Sequence, residues 1–185
     1  MQRLIEKIND LLKTKTPVVI AIDGPCGSGK TTLAKTLSEI YEDSAVVHVD
    51  DFFLRPHQRS AQRLSAPGGN MDRERLADQV LSKLREQKNM QYERYDCQTE
   101  MMSTQDLPAR KLYIIEGSYS HHPDIVQHYD LRVYLDIDPE KQVERLKQRV
   151  SPDMLQKFID TWIPLEQNYF TEYQIKASSD LVLKT

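Results

Sequence analysis

The sequence predicts an α/β fold: a doubly wound, five-stranded parallel sheet with helices on both faces and a short helical lid. Three observations predict it. Apolar runs of strand length alternate with segments of helical periodicity. A glycine-rich bend joins the first run to the first long helix after it. Three runs end in acidic residues, at the edge where open parallel sheets bind ligands. The 185 residues, 39% of them hydrophobic, suffice for one domain with a core. No linker, internal repeat or low-complexity tract divides 1–185, and the lid is expected near 150–163.

Met1 to Lys15 places Leu4, Ile5, Ile8, Leu11 and Leu12 on one helical face, an amphipathic helix rather than a signal-peptide core. Strands are expected at Val18–Ile22, Ala45–Val49, Leu112–Ile115, Leu131–Leu135 and Asp180–Leu183. Helices are expected at Thr31–Tyr41, at Arg73–Gln87 (Leu76, Val80, Leu81 and Leu84 on one face) and at Pro139–Arg149. Two more, Pro152–Trp162 and Leu165–Lys176, flank a break that Pro164 forces. Arg55–Gly69, polar and holding Pro56, Pro67, Gly68 and Gly69, reads as a loop; Met90–Leu107 reads as irregular chain or a hairpin.

Composition removes several classes of function. A net charge of −3 and a pI near 6.0 give no general nucleic-acid binder. No apolar run approaches the ~20 residues that span a bilayer. Cys26 and Cys97 have neither metal-ligand nor disulfide spacing, so a reduced, cytoplasmic protein is expected. Homo-oligomerisation is left open.

The bend carries the chemistry. Gly24-Pro25-Cys26-Gly27-Ser28-Gly29-Lys30-Thr31 is a G-x-x-x-x-G-K-[ST] phosphate-binding loop between a strand and a helix, the context that motif needs. Its amides turn inward at an anion, and the following helix adds about half a positive charge at its N-terminus. Lys30 is expected on the β- and γ-phosphates, Thr31 on Mg²⁺, and Thr32 next to them at the helix start. ATP and Mg²⁺ are therefore the expected cofactors.

The acids at the strand ends complete a site for phosphoryl transfer. Transfer to an alcohol needs one carboxylate at the hydroxyl proton and another at the metal. Asp50, after the second strand, and Glu116, after the third, sit where both jobs could be done. Asp50-Asp51 also suits a helix N-cap, and Asp23 suits a role in orienting the loop.

These residues resemble the uridine kinase and phosphoribulokinase group of P-loop kinases. Val49-Asp50-Asp51-Phe52-Phe53 is similar to that group's D-x-F-[YF] segment, and Ile114 to Tyr119 to its E-G strand end. Asn70-Met71-Asp72 and Tyr95-Asp96 resemble substrate-side motifs, and 131–149 resembles the strand and arginine helix that lead into the lid. The resemblance implies a P-loop NTPase fold with Asp50 as catalytic base, and Asp50 is also expected to hold Mg²⁺, directly or through water. It implies Glu116 and Thr31 on Mg²⁺, and Phe53, Asp72 and Tyr95 lining a small-molecule, nucleoside-like acceptor. Arg145 and Arg149 would close on the transferring phosphate, as a planar, permanently charged fork does well. The aromatics also suit plain core packing, and the two arginines a salt-laced helix surface.

The chain departs from that pattern in places. Val150-Ser151-Pro152 follows Arg149, and 152–162 carries Lys157 as its only basic residue. Cys97-Gln98-Thr99-Glu100 lacks the histidine that often meets a pyrimidine, and Phe53 stands for the more usual tyrosine. Arg55, His57, Arg59 and Arg63 form a basic run without acids, either a solvated loop or an attraction for a phosphorylated acceptor. Pantothenate or a sugar phosphate is the alternative acceptor. A GTPase is disfavoured by the lack of an N-K-x-D segment, and a motor ATPase by the lack of an Asp-Glu pair at 116; a nucleotide-binding regulator remains a third class.

Overall fold

A computed structural model describes all 185 residues. Helix α1 (Gln2–Thr14) precedes β1 (Val18–Asp23), and α2 (Lys30–Ile40) leads to β2 (Ser44–His48). Outside the main sheet follow α3 (Ala61–Ser65), α4 (Arg73–Leu76) and an antiparallel hairpin of β3 (Met90–Asp96) and β4 (Met101–Leu107). The chain returns to the sheet with β5 (Leu112–Glu116) and β6 (Leu131–Asp136), then α5 (Pro139–Arg149), α6 (Pro152–Lys157), α7 (Ile163–Glu172), α8 (Ile175–Ser178) and β7 (Leu181–Lys184).

The five strands of the main sheet run parallel in the order β2-β5-β1-β6-β7, as the alternation predicts. Alternation along β1 divides the core in two. Val18, Ile20 and Ile22 face α1 and α2 through Leu4, Ile8, Leu33 and Leu37. Val19 faces the other way, onto a cluster holding Leu76, Val80, Tyr113, Ile115 and Tyr169. Strands buried on both faces need this unbroken apolar character.

Several expected elements differ. The helix over Arg73–Gln87 holds α-geometry only to Leu76, widens into π-turns over Ala77–Leu81 and ends in a 3₁₀ turn at Leu84–Glu86. The wider turn, with Ser82 N–H on Ala77 O at 3.0 Å, lets adjacent Val80 and Leu81 both reach the core. Pro164 does not break the chain. A π-turn at Phe158–Trp162 carries α6 into α7, and the proline falls in α7's first turn, just after the widened ladder. The helix expected to reach Lys176 stops at Glu172, and α8 follows the left-handed Gln174. Within the expected loop Arg55–Gly69, Ser60 accepts from Arg63 N–H at 3.1 Å and caps α3. No helix is long and apolar enough to cross a membrane.

Two adjacent histidines tie stability to pH. His121 and His122 are buried, 2% and 3% exposed, and burial pushes both pKa values down, that of His122 to about 4. The unfolded chain therefore binds more protons than the native one between about pH 4 and the ordinary histidine value near 6.5. Their contribution is complete above that window and is lost as pH falls through it. His48 acts in the opposite sense, because its pKa is raised. Urea unfolding should show a lower midpoint at about pH 5 than at about pH 7.5. His122→Phe, which keeps the stack on Tyr169, should flatten that difference.

Candidate active site

The carboxyl edge of the sheet gathers the functional side chains. β1 ends at Asp23, and the chain bends through Gly24–Gly29 into α2. Gly29 caps that helix with φ 96°, and a Cβ built there would meet nothing within 4 Å. Beside it the buried Ser28 hydroxyl has no partner. A left-handed bend, open space and an orphaned hydroxyl at a helix N-terminus fit an anionic group. Lys30 Nζ donates to Gly24 O at 2.7 Å, Pro25 O at 3.0 Å and Ser118 Oγ at 3.2 Å, so the loop itself holds the ammonium.

Parallel register brings the next group in. Glu116 pairs with Ile22 on one side and His48 on the other. Thr31 Oγ1 donates to Glu116 Oε1 at 3.1 Å, and His48 Nδ1 meets the same oxygen at 2.5 Å. That hydrogen bond raises the His48 pKa. Gly117 allows the crowding: its φ is 146°, and a Cβ there would lie 2.7 Å from Val49 Cβ. No three His, Cys, Asp or Glu residues are grouped to hold an ion alone. Mg²⁺ does not require them, since it is commonly bound through one or two carboxylates plus substrate phosphates and water. Thr31 and Glu116 fit that donor set.

The Asp50-Asp51 pair splits between two roles in the 3₁₀ turn Val49–Phe52. Asp51 is buried, accepts from Tyr92 Oη at 2.9 Å and pairs with Arg94 Nε at 3.2 Å. Asp50 is exposed to solvent, with charged groups of the loop and of β5 close by. Desolvation is the largest cause raising its pKa; Glu116 and Asp51 add to the rise, while Lys30 and His48 oppose it. Asp50 therefore shares one electrostatic neighbourhood with the loop lysine and Glu116. Neither aspartate caps a helix through its side chain.

On the acceptor side the expectations divide. Phe53 is half-buried and bridges to Met71. Tyr95 is 2% exposed, belongs to neither core cluster, and its hydroxyl has no partner. Asp72 does not present a free carboxylate. It caps α4 through Arg75 N–H at 3.2 Å, and its other oxygen accepts from Arg75 Nε at 3.2 Å and Gln58 Nε2 at 2.9 Å. The cap, the buried arginine and Gln58 thus occupy the carboxylate that was expected to accept from a substrate hydroxyl. Arg145 Nη1 reaches Gly27 O at 3.3 Å, whereas Arg149, the last residue of α5, lies 6.0 Å over the Phe158 ring.

Sequence reasoning missed Glu166. This buried α7 carboxylate accepts from Cys26 N–H at 2.9 Å and from Ser118 Oγ at 2.6 Å. Burial and Glu166 push the Cys26 thiol up to about 12, so it stays protonated at neutral pH. The available signal was spacing: Glu166 and Tyr169 lie three apart on one helix face, and both meet the start of the loop, since Tyr169 Oη donates to Asp23 at 2.8 Å.

Comparison with known proteins now places the chain. The family described as AAA domain matches residues 20–169. The chain belongs to that family of P-loop domains. It is 28% identical over 139 residues to the uridine kinase of Ureaplasma parvum, across 68% of this chain and 65% of that enzyme's length. A protein from Bacillus stearothermophilus, titled a possible uridine kinase, superposes with a TM-score of 0.70 at 24% identity, covering 98% and 99% of the two chains. The D-glycerate 3-kinase of Cryptococcus neoformans gives 0.65 at 17%, covering 89% and 86%. The likeness to uridine kinases read from the motifs is borne out, and the fold is that of the P-loop kinases.

Glu166→Ala would orphan the Cys26 amide and the Ser118 hydroxyl, which should cost about 1–3 kcal/mol of unfolding free energy. Glu166→Gln, which can still accept from one of them, should cost less. Denaturant titration of the two variants tests this, and equal, negligible losses would show that the carboxylate is idle.

Proposed function

We propose that the protein is an ATP-dependent phosphotransferase that moves the γ-phosphate onto a hydroxyl of a small, nucleoside-like molecule. One observation carries the reading: Lys30, Thr31, Glu116 and Asp50 share one sheet edge, the cation and the acids surrounding an open cradle. The backbone from Gly24 to Thr32 and the Lys30 ammonium would hold the triphosphate, and Thr31 and Glu116 would hold Mg²⁺. The metal would supply charge neutralisation on the transferring phosphate.

Asp50 orients the acceptor hydroxyl and takes its proton. Its raised pKa makes it a better base than a free aspartate. General-base help is worth about 10² to 10⁴ in rate, whereas alignment of two bound substrates can be worth effective molarities of ~10⁵ M or more. Positioning is therefore the larger effect. Arg145, next to the loop, is placed to follow charge on the phosphate; Arg149 would have to swing in with the lid segment.

The relatives' name supports a nucleoside acceptor. A second reading, a sugar phosphate or a pantothenate-like acid, is favoured by Arg55 and Arg59, which meet Gln58 and the Leu54 carbonyl and no carboxylate.

Asp50→Asn should keep ATP affinity and lose about 10²-fold or more in turnover, as read by nucleotide binding and ADP release. ADP release that requires an acceptor supports the kinase; release indifferent to acceptor makes the protein an ATPase. Tight ATP binding without release would make it a regulator.

A further inference from the structure

The buried carboxylates of the chain are Asp23, Asp51, Asp72, Glu116 and Glu166. Four of them have both oxygens engaged by protein donors. Asp23 is met at one oxygen by the Gly24 amide and at the other by the His121 amide and Tyr169. Asp51 divides between Arg94 and Tyr92, and Glu166 between Ser118 and the Cys26 amide. Both oxygens of Asp72 are taken as well.

Glu116 is the exception. Its two donors, the Thr31 hydroxyl at 3.1 Å and His48 Nδ1 at 2.5 Å, both meet Oε1, and Oε2 accepts from no protein group. Lysine and arginine stay away from it, since the Lys30 ammonium is spent on Gly24 O, Pro25 O and Ser118 Oγ. A buried acid needs compensation. One oxygen pinned and the other left over is the form in which a carboxylate can still take a cation.

His48 reaches Glu116 through strand register. It closes β2 as Glu116 closes β5, and the two residues are aligned across the parallel pair. Its side chain is 45% exposed, and its ring makes one hydrogen bond, through Nδ1. A carboxylate only accepts, so Nδ1 carries the hydrogen in that contact whichever charge the ring bears. Thr31 is a weaker clamp, because a hydroxyl turns about its bond and its oxygen is wanted by the ion. His48 belongs to none of the motifs that mark the site in the sequence.

We propose that His48 is a positioning residue for the metal: by holding Glu116 Oε1 it keeps Oε2 available to Mg²⁺. This rests on the reading of Thr31 and Glu116 as the metal's holders and adds the residue that fixes the glutamate in advance. In this role His48 touches neither substrate nor ion.

The gain in nucleotide affinity that magnesium confers tests it. Calorimetry gives the Kd of β,γ-imido-ATP in excess Mg²⁺ and in EDTA, and the ratio of the two is that gain. His48→Phe keeps a ring and removes the donor. It should shrink the gain about ten-fold or more, as loss of a ligand's outer partner does, with the Kd in EDTA held within about two-fold. His48→Ala is a second donorless variant and should behave alike. His48→Asn, whose amide nitrogen stands as many bonds from Cα as Nδ1, should restore most of the gain. A merely structural role would weaken binding equally in both solutions, and that result overturns the proposal. So does an undiminished gain in the donorless variants, which leaves the metal reading standing. A wild-type Kd indifferent to magnesium removes the metal reading itself, and the proposal with it.

Discussion

The site depends on Asp23, a carboxylate with no solvent exposure at the end of β1. A buried charge is tolerated only where donors surround it. Asp23 receives three: the Gly24 amide at 2.7 Å, the His121 amide at 2.9 Å and the Tyr169 hydroxyl at 2.8 Å. They come from the phosphate-loop entry, the turn after β5 and α7. One side chain thus fixes three segments that are remote in sequence. Glu166 repeats the device one turn earlier on α7, holding Cys26 and, through Ser118, the lysine. The loop is thus held by the chain's own donors and acceptors, the kind of pre-organisation that electrostatic stabilisation of a phosphate requires.

The region around α4 and the hairpin is built by a different rule. There a buried arginine, Arg75, is the hub. It pairs with Asp72, donates to the carbonyls of Asp51, Phe53 and Glu93, and lies 4.7 Å over the Phe52 ring. Breaking such a hub from one side leaves a buried charge uncompensated. This explains why both oxygens of Asp72 are taken by protein groups. Asp51 likewise turns into the protein, toward Tyr92 and Arg94, while Asp50, one residue before it, is exposed to solvent.

Much of the site was legible in the residues themselves. The strand-bend-helix context of 18–41 made the phosphate loop readable, because its glycines and lysine are local requirements of the backbone and the anion. Glu116 was readable from the apolar run before it, since a buried parallel strand delivers its last residue to the ligand edge. Glu166 was not, because its partner Cys26 lies about 140 positions away and an acid on a helix is most often solvated. Pro164 misled, since local propensity says break while the preceding π-turn removes the conflict. The pairing state of the arginines was also invisible: a basic run at 55–63 reads the same whether Arg63 meets Glu74 or stands free.

Residue order was enough for the five-stranded α/β class, the phosphate loop and the acids at the strand ends, because periodicity and turn chemistry are properties of neighbouring residues. The folded arrangement was needed to choose which of two adjacent aspartates faces the cleft and which arginines keep their charge uncommitted. It was needed, too, to bring a helix near the C-terminus onto the loop near the N-terminus. Those outcomes depend on desolvation and on partners brought together across the whole chain, and no local pattern encodes either.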